Sequence, residues 1–170
     1  PAHWSDQAGR ATYDFRPDVT LAGAPLLSAV SVSGETSNRD VLQGTSSSAG
    51  TGYYVVQSAA QAAPSVAQVL AGQQSTGAAA LVSGNGAVAA NAAARFPLAP
   101  LAPGTGYTAY LVVRDNQNPP LSSVPGTASC TTVAVAPQAP TIGTATAGNT
   151  QASVTFTAPA NNGGSVVTQY

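Results

Sequence analysis

The clearest pattern along the chain is a series of short stretches in which apolar and polar residues alternate, the period of a half-buried β-strand. Residues 27–32 predict a first strand, with Leu27, Ala29 and either Val30 or Val32 facing inward. After a polar turn over 34–39, Val41-Leu42 begins a second strand. Tyr53-Tyr54-Val55-Val56, rich in residues that favour strands, forms a third. A hairpin between the second and third is the simplest pairing. Residues 95–98 predict another short strand. Leu101 ends one strand, Pro103-Gly104-Thr105 turns the chain, and Tyr107, Ala109, Leu111 and Val113 then alternate on one face. Residues 115–120 read as a hairpin loop and 121–135 as a final strand interrupted at Pro125-Gly126.

One stretch breaks the period of two. Pro64-Ser65 precedes Val66, Val69 and Leu70 at helical spacing, and Gly72 comes after them, which predicts one short helix. Residues 73–94 are polar and Ala-rich, and 78–83 read equally as strand or loop. A stiff Pro-rich linker spans 136–140. Beyond it, 141–146 and 152–157 alternate again, Asn161-Asn162-Gly163-Gly164 marks a loop, and 166–170 begins a further strand. Three strands, one of them short, do not close a two-sheet core. At the other end, 11–21 alternates with Tyr13 and Phe15 on one face, but Pro17 confines it to an edge strand or an extended lead-in. The organisation expected is a lead-in over 1–24, an all-β unit over 25–135, the linker, and an incomplete second unit over 141–170.

Composition narrows the picture. Among 170 residues there are 5 Arg, no Lys, 6 acidic residues, 1 His and 1 Cys, and charged residues make up 6%. Five scattered Arg do not form a basic face, so nucleic acid is not an expected partner. One Cys supports neither a disulfide framework nor a thiolate metal site. Hydrophobic residues reach 44%, but many are Ala, and aromatics are only 6%, which suits a thin two-layer β structure. No stretch is long and apolar enough for a transmembrane helix. The uncharged Thr, Ser, Asn and Gln surface fits an extracellular protein, and a net charge of -1 leaves little repulsion between copies.

Two stretches resemble fibronectin type III modules, an immunoglobulin-like sandwich family. Leu101-x-Pro-Gly-Thr-x-Tyr107, with alternating apolar residues after it, is similar to that family's tyrosine corner. Residues 137–170 resemble the opening of a second module. There Pro140 and Ile142 match the first strand, and Phe156 stands where the family usually has Trp. Pro159, Asn162-Gly163-Gly164-Ser165 and Tyr170 match the family's next loop and strand. The resemblance implies a fibronectin-III-like sandwich with one short helix, then the first strands of a second. It also implies structural roles for Leu101, Tyr107 and Phe156, no catalytic residues and no fixed cofactor. Together with Gly52-Tyr53-Tyr54-Val55-Val56 and the helix, it points to repeat modules of large bacterial surface proteins.

The chemical candidates are few. His3 is the lone imidazole, close to the start of the chain, and nothing orients a Ser-His-Asp triad around it. Asp14 and Asp18 flank Arg16 as local ion pairs. Asp115 and Asn118 offer two oxygens, too few for Ca²⁺, so a turn-capping role is expected. Cys130 has two readings, a buried small apolar residue or an intermolecular disulfide. Tyr53-Tyr54 and Tyr107/Tyr110 are either divided between core and surface or a platform for stacking carbohydrate. Gly84-Asn85-Gly86 is a turn signal, not a phosphate loop.

The function expected is a non-catalytic structural segment of an extracellular surface protein, as stalk, adhesin or self-assembling fibre subunit. Its partners would be other copies or adjacent modules, with Cys130, Tyr13 and Phe15 as intermolecular contacts. The alternative is an accessory module of a secreted carbohydrate-active enzyme, or a receptor-binding module, with surface glycans as partners.

Overall fold

The computed structural model describes residues 23–169. Most of the lead-in, with Tyr13 and Phe15, lies outside the described residues. The elements in chain order are β1 (Leu27–Ser33), β2 (Asp40–Ser46), β3 (Gly50–Ser58), α1 (Val66–Leu70), β4 (Val82–Val88), β5 (Ala93–Leu98), β6 (Gly106–Asp115), β7 (Gly126–Thr131), β8 (Thr141–Ala147) and β9 (Ala152–Thr157). They form an antiparallel sheet β1-β2-β5, an antiparallel sheet β4-β3-β6-β7, and the separate pair β8-β9. The first two sheets pack face to face as an all-β sandwich with one short helix.

The core arises from the alternation. Tyr107, Ala109, Leu111 and Val113 of β6 meet Tyr54 and Val56 of β3 and, from the opposite sheet, Leu42, Phe96 and Leu98. Tyr110 and Val112 point the other way, yet they too are buried, together with Val55 and Val69. Strand β6 is therefore apolar on both faces because α1 covers its outer one. The helix begins as its sequence dictates. Ser65 Oγ accepts the Gln68 N–H, and Gln68 Oε1 accepts the Ser65 N–H at 2.8 Å, a capping box. The buried Gln57 ties down the insertion that carries α1. Its Nε2 donates to the Ala62 carbonyl at 2.6 Å and its Oε1 accepts the Ser75 N–H at 3.0 Å.

Several expectations are corrected. Strands β2 and β3 do not pair: β2 lies between β1 and β5, and β3 between β4 and β6. The 47–49 connection, held by Ser46 Oγ accepting the Ser48 N–H, carries the chain from one sheet to the other. Strand β4 had no clear signal because Gly84 and Gly86 lower its strand propensity. Those glycines make room for the core's few aromatic rings. A Cβ on Gly84 would lie 2.8 Å from the Tyr54 hydroxyl oxygen, and one on Gly86 3.2 Å from the Phe96 ring. The two rings pack at 5.2 Å and 37°.

Ala29 does not face inward. It sits at φ 51° in a bulge between Ser28 and Ser31, and the extra residue brings Leu27, Val30 and Val32 onto the core face. Leu101 lies after β5 rather than at its end. The final strand is shorter than 121–135, because Pro125 has no N–H to extend it and Thr132 turns into the corner around Tyr107. Residues 166–169 form no strand, and Val166 is 83% exposed.

Candidate functional site

Many hydrogen bonds converge on the end of the sandwich where β5 turns into β6. Tyr107 is buried, and its hydroxyl accepts the Ala102 N–H at 2.9 Å. The buried Leu101 donates its N–H to the Asn38 carbonyl at 2.9 Å. Thr132, also buried, donates its hydroxyl to the Ala102 carbonyl at 2.6 Å and accepts the Thr105 N–H at 3.0 Å. The Val133 N–H reaches the Thr36 carbonyl at 3.0 Å. Backbone groups that a turn would otherwise leave unpaired are thus satisfied by two side chains and by the loop between β1 and β2. The result is mechanical: three segments far apart in sequence are tied at one corner.

Cys130 lies opposite Tyr107 in the β6-β7 ladder and belongs to the same core cluster as Leu101 and Tyr107. Burial, with the Asp40 carboxylate beside it and the Glu35 charge nearby, pushes its thiol up to about 12. It stays protonated at neutral pH, so it is a weak nucleophile. Of its two readings, burial favours the small apolar residue of the core over the intermolecular contact, since Cys130 is 8% exposed. Asp40 is buried as well. One of its oxygens accepts the Thr36 N–H at 3.2 Å, and the other has no N–H or O–H donor.

Asp115 caps its loop as expected. Its Oδ1 accepts the N–H groups of Gln117 and Leu121, at 3.2 and 2.8 Å, and its Oδ2 accepts from the Gln117 amide at 2.8 Å. Both oxygens are engaged within the loop. Among the described residues no group of three His, Cys, Asp or Glu side chains is placed to hold a metal.

The tyrosines divide between roles. Tyr54 and Tyr107 are in the main core and Tyr110 lies under α1, while Tyr53 is half-exposed. Tyr53 lines a groove of about 190 Å³ with Leu70, Gly72, Ser83 and Asn85. Phe156 is not enclosed. It faces Ile142 across the β8-β9 pair, and the two are 52% and 68% exposed. Leu101, Tyr107 and Cys130 are thus brought together, and Phe156 stands apart from them. Sequence reasoning missed Thr132 and Gln57. A lone Thr or Gln in a polar stretch carries no signal until its partners across the fold are known.

No protein-family model and no curated protein matches the chain. Among the described residues no helix is long and apolar enough to cross a membrane.

Proposed function

We propose that this chain is a non-catalytic structural segment of an extracellular surface protein, a spacer built from fibronectin-III-like modules. One observation carries the reading most: the opening of the sandwich recurs. Strands β1 and β2 are an antiparallel pair with a bulge in the first strand, and β8 and β9 repeat that arrangement after the linker. The strand order of the two sheets and the Tyr107–Ala102 bond add support. A chain with few charges and many ladder and corner hydrogen bonds suits a part that transmits force and holds distance.

A second reading, a glycan-binding module, is favoured by the groove that Tyr53 lines together with Ser83 and Asn85. One pair of experiments separates the two. Antibody labelling of intact source cells and their medium is expected to detect the chain without lysis. Labelling only after lysis overturns the extracellular placement. A polysaccharide panel is expected to leave the chain's melting temperature unchanged. Stabilisation that Tyr53→Ala removes would establish the glycan reading instead.

A further inference from the structure

The linker and the Asn161-Asn162-Gly163-Gly164 loop were each legible as stiffness and as a turn. The structure brings them together. In an extended Pro-rich chain, residues three apart share a side. Val135 and Gln138 are so spaced, and their N–H groups donate to the Gly163 carbonyl at 2.9 Å and the Asn161 carbonyl at 3.1 Å. Pro137 and Pro140, which have no N–H, occupy other positions of the same stretch.

The loop is shaped to receive them. Asn161 Oδ1 accepts the Gly163 N–H at 2.8 Å, and Asn162 Oδ1 accepts the Gly164 N–H at 3.1 Å. Gly163 and Gly164 have φ of 70° and 90°, and Gly163 is buried although its neighbours are exposed. A Cβ on Gly163 would collide with the Val135 carbonyl oxygen. One on Gly164 would lie 2.6 Å from the Gly104 Cα and from the Pro103 carbonyl oxygen. Gly104, at φ 57°, meets the Gly164 Cα in return, at 2.8 Å from its own notional Cβ. Two backbones therefore touch directly, one from the turn that the Tyr107 corner braces, the other from the loop after β9.

We propose that the 103–105 turn and the 133–138 stretch form a docking surface for a di-glycine loop of the next unit. The contact holds that unit at one angle instead of leaving it on a free tether. Backbone meets backbone with no side chain between, so the surface accepts only a unit with two residues lacking a Cβ at that place. None of the contacting groups ionises, so the joint is indifferent to salt. The purpose, a fixed spacing along a stalk, rests on the spacer reading; the contact itself does not.

The test is amide hydrogen exchange on the whole chain. The Val135 and Gln138 amides are expected to exchange at least about tenfold more slowly than those of Ala136 and Ala139. Gly164→Val should abolish that difference while Leu111 and Val113 in β6 keep their protection. Gly104→Ala, a change on the other side of the contact, should release the same two amides. Gly148→Ala, in the turn between β8 and β9, should not. The proposal is overturned if Val135 and Gln138 exchange as fast as Ala136 in the unsubstituted chain. It is equally overturned if they stay protected in Gly164→Val. Either result leaves the surface-labelling experiment unaffected, and a failure of that labelling leaves the joint intact.

Discussion

Strands β1-β2 and β8-β9 are built alike and end up in opposite surroundings. Each is an antiparallel pair with a bulge in its first strand. Each gathers its apolar residues on one face. In β8-β9 the facing pairs Ile142–Phe156, Ala145–Val154 and Ala147–Ala152 share a side, and Thr141–Thr157 and Thr146–Ser153 share the other. In β1-β2 the corresponding face is covered: Leu42 is fully buried, with Leu27, Val30 and Val32 packed around it. In β8-β9 Ile142, Phe156 and Val154 are 68%, 52% and 41% exposed. The difference teaches that alternation and bulge are local properties. Burial belongs to the second layer, which β6 and its neighbours supply to one pair and not to the other among the described residues.

The comparison can be broken at its strongest point first. Leu111→Ala removes a fully buried side chain from the strand that covers β1-β2. It should cost about 2–5 kcal/mol in a urea melt. Phe156→Ala should cost well under about 1 kcal/mol, because the ring is half in water already. Equal costs would mean that β8-β9 has a cover of its own.

A medium effect tests the corner. Tyr107→Phe keeps the ring and deletes only the hydroxyl that accepts from Ala102, so a loss of about 1 kcal/mol is expected. No measurable loss would remove the corner from the account of what holds the sandwich together.

The thiol offers a pH test. Its folded value lies near 12, above the ordinary 9.0, so unfolding releases its proton between those values. Cys130 therefore contributes stability that is intact below pH 9 and lost as pH rises toward 12. Burial raises Tyr54 in the same direction. The chain has no Lys to titrate in this window. Stability should fall above pH 9, less steeply in Cys130→Ala, and thiol reagents should label the folded chain slowly until it unfolds. Rapid labelling at neutral pH would place the sulfur at the surface.

Legibility in the sequence divides in the same way, between local and distant causes. The alternation of β6, the place of α1 between Pro64-Ser65 and Gly72, and the loop held by Asp115 rest on neighbours within a few residues, and all were readable. The Tyr107 corner was expected only through the resemblance that Leu101-x-Pro-Gly-Thr-x-Tyr107 bears to fibronectin type III modules; the bond from Ala102 to its hydroxyl emerged in three dimensions. The partner of β2 was not readable, because it depends on which face a distant sheet covers. Strand β4 was hidden because its glycines serve the rings of Tyr54 and Phe96 on other strands. The bulge at Ala29 was hidden because no Gly or Asn marks it. The di-glycine loop was visible as a turn, and its contact with Gly104 emerged only in three dimensions.

The central claim is that, among the described residues, one strand pair is covered by a second layer and the next is not. Hydrogen exchange of β2 and β9 in the same sample, at two protein concentrations, tests it most directly. The account expects Leu42 and Gln43 to exchange only through global unfolding, and Val154 and Phe156 to exchange through local opening, orders of magnitude faster. If β9 is as protected as β2 at the lower concentration, the claim is wrong.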